Sequence, residues 1–245
     1  MTDMLEVSGL TKSFGGLRVT RSVNLRVATG ERRLLIGPNG AGKTTLFNLI
    51  AGDLRADQGR IALKGEDVTR RPTAVRARRG LARTYQIVTL FGSDTLLHNV
   101  KLALLGKSRR RLQHWGHFAG DRELSDRAAR ILESVGLSHK AGVRLDQTSY
   151  GEKRRVEIAM ALAQSPSLLL LDEPLAGLSS EERITICKLL DTIPRDITVV
   201  MIEHDMKAAL AFADRITLLN QGEVVLDGTR QEVIDDPRTR EIYLG

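Results

Sequence analysis

The sequence predicts an α/β fold built on a mainly parallel sheet, with a helical insertion between about Ile87 and Pro166. Three observations carry this reading. The runs "SLLLLDE" and "DITVVMIEHD" are short, continuously apolar and stop at acidic residues, which is the pattern of strands buried on both faces. A third run, "RRLLIG", breaks at Gly37 and passes straight into a helix-like stretch, "KTTLFNLIAG". From Thr73 to about His139 the pattern becomes helical, basic and polar.

The remaining elements follow in order. "LEVSGL" and "LRVTRSVNLRV" read as strands, the second with partial period-two alternation. "GRIALKG" is a further strand after the first helix. "TSYGEKRRVEIAMALAQ" opens with Ser149 and Glu152 at the Ser-x-x-Glu spacing of a capping box, so a helix starts there. "DRITLLNQGEVVLDG" reads as a hairpin with Gln221-Gly222 near its turn, and a short helical tail closes the chain. There is no internal repeat and no low-complexity segment.

A chain of 245 residues suits one large domain, or a core with a subdomain. Its 42% hydrophobic and 27% charged residues fit a soluble globular protein. No apolar run approaches the ~18 residues of a membrane span, and the start lacks a secretory signal pattern. The single Cys187 has no intramolecular partner, so disulfide scaffolds and Cys-based metal sites are excluded and a reducing, cytoplasmic setting is expected. The formal charge of +7 would suit nucleic acid, an anionic membrane face or an anionic small molecule. Only 4% of residues are aromatic, which is poor for a base-stacking surface. Two basic stretches stand out: Arg70, Arg71, Arg76, Arg78, Arg79 and Arg83, and "GKSRRRLQHWGHF" with Trp115. Both read first as solvated faces, and second as surfaces near a membrane or a membrane subunit.

"GPNGAGKTT", Gly37 to Thr45, matches G-x-x-x-x-G-K-[ST] between a strand and a helix. Its residues are Gly37, Pro38, Asn39, Gly40, Ala41, Gly42, Lys43, Thr44 and Thr45. Glycines let backbone wrap a phosphate, and free N–H groups at the helix start favour negative charge. Lys43 would reach the β- and γ-phosphates, and Thr44 would hold Mg²⁺. Asp172 ends an apolar strand, where it can orient Mg²⁺, and Glu173 can poise a water for attack on the γ-phosphate. His204 follows the next apolar strand, where sheet order would set it beside Glu173 as a γ-phosphate sensor. Gln86, in "RTYQIVTLF", can sense metal or water. Phe14, in "KSFGG", is a core or loop aromatic, or one that stacks on a base.

Phe14, "GPNGAGKTT", Gln86, "TSYGEKRR", "LLLLDEPLAGLS" and "EHD" occur in one order. That order resembles the ATP-binding subunits of ABC transporters across nearly the whole chain. In detail the chain is similar to the ATPase group of branched-chain amino-acid importers, through "IGPNGAGKTTLFNLIAG", "SYGEKRRVEIAMALA", "DEPLAGLS", "IEHDM" and "IYLG". The resemblance implies a P-loop NTPase core of ABC type, with an antiparallel β subdomain and a helical subdomain. Residues 1–245 would be a single ABC ATPase domain, with 1–87 and 166–245 the nucleotide core and 88–165 the helical signature subdomain.

The same resemblance assigns roles. Phe14 would stack on adenine. Gln86 would contact Mg²⁺ and link the core to a transmembrane partner. Glu173 would be the general base and His204 the switch His. "TSYGE" stands at the signature motif, so Ser149, Tyr150, Gly151 and Glu152 would cover the γ-phosphate of ATP bound to a second ATPase subunit, head to tail. Leu175 to Ser179 would connect the two sites. The implied partners are that second ATPase, as homodimer or heterodimer, two transmembrane permease subunits and, indirectly, an extracytoplasmic substrate-binding protein; nucleic acid is not expected. The cofactors would be ATP and Mg²⁺, and the chain would sit peripherally on the cytoplasmic face of the inner membrane. The signature departs from the family in having Thr148 for Leu, and Tyr150 and Glu152 where Gly and Gln are common. Ser179 stands where many members have Asp, which bears on communication between sites. Branched-chain or other amino acids are the first expected substrates, and urea or short amides the second. A soluble ABC ATPase acting on nucleic acid or in an assembly machine is the rival.

Overall fold

The computed structural model describes residues 3–85, 90–107, 121–204 and 210–244. In chain order the elements are β1 (Asp3–Phe14), β2 (Leu17–Ala28), β3 (Arg32–Ile36), α1 (Lys43–Ala51), β4 (Gln58–Leu63), β5 (Glu66–Asp67), α2 (Thr73–Arg78) and β6 (Leu81–Arg83). Then come α3 (Leu96–Lys107), α4 (Arg122–Ser134), α5 (Tyr150–Ala163), β7 (Leu168–Asp172), α6 (Ser180–Asp191), β8 (Thr198–Ile202), β9 (Arg215–Asn220) and β10 (Glu223–Thr229). Two short helices, Arg230–Asp235 and Pro237–Leu244, follow.

The strands form two sheets. One is antiparallel, in the order β2-β1-β4-β5; the other runs β10-β9-β3-β8-β7-β6. In the second, β9, β3, β8, β7 and β6 are mutually parallel and β10 closes the edge antiparallel to β9. The apolar runs of β3, β7 and β8 are continuous because both faces are covered. Side chains alternate between two cores: Leu34, Ile36, Leu169, Leu171, Val199 and Met201 face the helices. Leu35, Leu168, Leu170, Val200 and Ile202 face the other way, toward α1 and the antiparallel sheet. Helix α1 contributes Leu46, Phe47, Leu49 and Ile50 to that second core, opposite Leu5, Val7, Leu25, Val27 and Ile61. Each such buried side chain is worth about 1.5–3 kcal/mol relative to exposure.

Three details set the site. Asp172 pairs with Ile202, so β7 and β8 end level and their following residues are neighbours. The β9–β10 turn uses Gln221 and Gly222 in left-handed backbone, φ 49° and 84°, as a two-residue hairpin loop requires. That turn docks on the loop after β3: the Gly222 N–H donates to the Ala41 carbonyl at 3.1 Å, and the Arg21 N–H donates to the Gly222 carbonyl at 2.7 Å.

Two expectations need correction. The stretch from Thr73 is not continuously helical, because β6 interrupts it and pairs with β7, Leu81 opposite Leu168. Three residues are too few to show a strand period. Nor are all the arginines before Gln86 solvated. Arg76 is buried and donates to the carbonyls of Leu49 and Ile50, at 2.6 and 2.7 Å, satisfying the end of α1. The side chain of Arg83 is only 5% exposed. The second basic stretch, from Ser108 through Trp115, lies outside the described residues.

Candidate nucleotide site

The loop from Gly37 to Thr45 joins β3 to α1. Gly37 has φ 151°, and a Cβ there would lie 2.1 Å from the Leu219 carbonyl oxygen, so no larger residue fits. Gly42 has φ 98° and caps α1 in left-handed backbone with no side chain on the helix's first N–H groups. Those groups point into a cleft of about 270 Å³ lined by residues 39–45, Val19, Glu173 and His204. Free helix-start amides, flexible backbone and a cation make this a cradle for an anion. Lys43 supplies the cation. It is buried, and its Nζ donates to the carbonyls of Gly37 and Pro38 at 2.7 and 3.0 Å. Burial lowers its pKa from the ordinary lysine value, while Glu173 and Asp172 act to raise it.

Asp172 and Glu173 end β7 in different environments. Asp172 is 1% exposed. Its Oδ2 accepts from Arg83 Nη2 at 2.8 Å, and its Oδ1 has no partner among the described residues. Burial raises its pKa, against the pull of Arg83. A buried carboxylate oxygen without a donor is the kind of atom that a cation or its water shell satisfies. Glu173 holds φ 48°, unusual for a residue with a side chain and costing on the order of 1–3 kcal/mol. Its amide donates to the Ile202 carbonyl at 3.0 Å, and its Oε1 lies 3.1 Å from His204 Nε2. The two residues therefore meet at the cleft as sheet order predicts. Glu203 ties the adjoining loops together, accepting from the amides of Leu175 at 2.6 Å and His204 at 3.0 Å.

Other expected site residues lie apart from this cleft. Phe14 is 48% exposed at the β1–β2 turn, with Lys12 Nζ 5.6 Å from its ring centroid, and does not line the cleft. Ser149 caps α5 in a full capping box with Glu152. Ser149, Tyr150 and Gly151 face α6 and the Gly177 turn instead: Ser149 bonds Glu182, Tyr150 abuts Gly177, and Gly151 abuts Glu182, while Glu152 pairs with Lys140 at 2.6 Å. Gln86 lies outside the described residues.

Four residues with no assigned role in the sequence reading hold these parts together. Arg83 bonds Asp172, Asn48 and Asp53, and stacks between Phe47 and Tyr85, 5.7 and 4.9 Å from their centroids. Arg154 is fully buried on α5, where it pairs with Glu157 at 2.6 Å and donates to the Tyr85 carbonyl at 3.0 Å. Glu157 in turn accepts from the Tyr85 amide at 2.8 Å. Glu182, on α6, bonds the start of α5. The signal for the Arg154–Glu157 pair was present, an opposite-charge pair at i,i+3 within an apolar stretch.

Comparison with known proteins agrees with this geometry. The ABC transporter family model matches residues 20–176, more than half of the chain. The high-affinity branched-chain amino acid transport ATP-binding protein BraF of Pseudomonas aeruginosa is 38% identical, over 99% of this chain and 98% of that protein. LivG of Escherichia coli, of the same description, is 36% identical over the same shares. The lipopolysaccharide export system ATP-binding protein LptB of Acidithiobacillus ferridurans is 37% identical over 100% of this chain and 98% of its own length. The ADP conformation of MJ1267, an ATP-binding cassette of an ABC transporter, superposes with TM-score 0.87 at 30% identity over the whole of both chains. A dimeric post-hydrolysis state of the cassette MJ0796, bound to ADP and Pi, gives TM-score 0.79 at 29% identity over 93% of this chain and 99% of that one. Fold, loop and full-length likeness converge, and the chain belongs to the ABC transporter family as an ATP-binding, ATP-hydrolysing subunit.

Proposed function

We propose that this subunit drives an importer of branched-chain or other amino acids, through closure of two ATPase subunits around two ATP molecules. The observation that carries the substrate class is its full-length identity to BraF and LivG. The meeting of Lys43, Glu173 and His204 at one cleft supports the catalytic reading. The phosphate loop takes the β- and γ-phosphates, with Lys43 as their counter-charge. Glu173 accepts a proton from the attacking water, and His204, in contact with Glu173, senses the γ-phosphate. Phe14 stacks on adenine. Asp172, Thr44 and Gln86 are the residues that would hold Mg²⁺; the unpartnered Oδ1 of Asp172 fits that use. When bound, the ion would neutralise charge on the phosphate oxygens.

Ser149 to Glu152 complete the site of a partner ATPase subunit, identical or different, lying head to tail. The isolated chain therefore hydrolyses ATP poorly. No helix among the described residues is long and apolar enough to cross a membrane. In the proposed transporter, two separate permease subunits carry the path for substrate. The ATPase docks on their cytoplasmic face, and an extracytoplasmic binding protein delivers substrate. Likeness to LptB supports lipopolysaccharide export as a second reading.

The test is a pull-down of tagged Glu173→Gln chain with ATP and Mg²⁺ from mildly solubilised native membranes. Recovery of permease subunits that bind and move branched-chain amino acids on reconstitution supports the proposal. Recovery of an export permease supports the second reading, and recovery of soluble proteins or nucleic acid alone overturns both.

A further inference from the structure

The start of α5 already holds an anion. Glu182 Oε1 lies 3.2 Å from Ser149 Oγ and 3.1 Å from the Gly151 nitrogen, accepting both hydrogens. A Cβ on residue 151 would lie 2.4 Å from the same oxygen, so glycine is what admits the carboxylate. The other oxygen, Oε2, accepts from the Ser179 amide at 3.0 Å, and the Glu182 amide returns a bond to Ser179 Oγ at 3.3 Å. The carboxylate thus bridges the signature segment and the loop that follows Glu173. Among the described residues no cation pairs with it, and hydrogen bonds, first that from the Ser179 amide, hold its pKa below the ordinary glutamate value. It is ionised at neutral pH.

We infer that Glu182 is a built-in competitor for the γ-phosphate, occupying the signature donors of its own chain until a partner's nucleotide displaces it. This rests on the proposed role of Ser149 and Gly151 toward a partner's ATP, and adds how that contact is regulated. Two anions cannot share one hydroxyl and one amide, because each donor has one hydrogen and like charges at contact repel. Closure therefore requires the carboxylate to swing off Ser149 and Gly151. Its second oxygen stays with Ser179, so arrival of the partner's phosphate moves a group bonded to the inter-site loop of this chain. That gives Ser179, where many family members carry Asp, a way to register the state of the opposite site. A signature freed of its competitor binds more strongly, by the inverse of the fraction of time it stands open.

The test uses sedimentation of the full chain carrying Glu173→Gln, with ATP and Mg²⁺, across a protein concentration series. Glu182→Gln keeps the shape and removes the charge; Glu182→Ala removes the competing group. Both should shift the dimerisation midpoint to roughly three- to tenfold lower protein concentration. A residue that merely supported the fold would shift it the other way when lost. An unchanged or weakened dimer in both variants overturns the inference. Ser149→Arg in the same background separates this from the underlying reading. If it abolishes the dimer while the Glu182 variants change nothing, only the competitor role fails. If Ser149→Arg dimerises normally, or the parent stays monomeric, the signature reading fails and the competitor role with it.

Discussion

Arg83 shows how much a single side chain organises around the nucleotide cleft. Its guanidinium joins residues 35 and 89 positions away, Asn48 and Asp172, so no local sequence window contains the interaction. Lys43, Asp172 and Glu173 were legible because each sits at a fixed place in a motif or at the end of an apolar run. Arg83 was not, because it belongs to a three-residue strand inside a basic stretch. Arg83→Met leaves Asp172 buried and unpaired, and should lower stability by about 3–5 kcal/mol in urea unfolding. Adding Asp172→Asn should recover a large part of that loss, since the pair is then removed together. Glu173→Gln should reduce single-turnover hydrolysis by about 10²–10⁴-fold, with ATP affinity retained in a fluorescent-nucleotide titration. A parallel loss of affinity would place Glu173 in binding rather than proton transfer.

Helix starts are the recurring element. Ser149/Glu152, Ser179/Glu182 and Thr229/Glu232 are three capping boxes, each with the glutamate bonded back to the cap amide. The first was legible from its spacing. The second could have been read the same way, but its glutamate's reach to α5 is a tertiary fact. All three glutamates titrate below their ordinary value. For Glu182 and Glu232 backbone hydrogen bonding dominates, at Ser179 and Thr229; for Glu152 burial acts to raise the pKa and is outweighed, chiefly by Lys140. With folded values depressed, the unfolded chain binds more protons in the window between the two. The stability they contribute is therefore present above about pH 4.5 and lost as pH falls through the lower folded values. The melting temperature of the nucleotide-free chain should fall in that acid range. Replacing all three by Gln should flatten the fall, and an equal slope in both proteins would refute the assignment. Arg154 and Glu157 act at the same scale, fastening α5 to the segment leading into residue 86. Arg154→Lys keeps the charge but loses the planar guanidinium whose Nη1 bonds Glu157 and Tyr85 and whose Nη2 bonds Tyr150; ATP turnover should fall while nucleotide binding to the single chain holds.

At the scale of the molecule, the alternation of the parallel strands between two cores explains why their sequences look uniformly apolar. That uniformity identified β3, β7 and β8, but it concealed which face each residue serves, since both are dry. The order of β3, β8 and β7 depends on the pairing of β3 with β8, segments more than a hundred residues apart, which no periodicity records. Phe47→Ala should cost about 3–5 kcal/mol, measured by chemical denaturation, because Phe47 sits where α1 meets the second core. Helix α1 is also the only element among the described residues that begins in the phosphate loop and ends within the core shared by both sheets. A ligand gripping its first turn thus restrains everything packed along its length. Amide hydrogens of β1, far from any phosphate in sequence, should exchange more slowly once ATP is bound, in step with those of β8. Occupancy of the site would then be readable as rigidity in the antiparallel sheet.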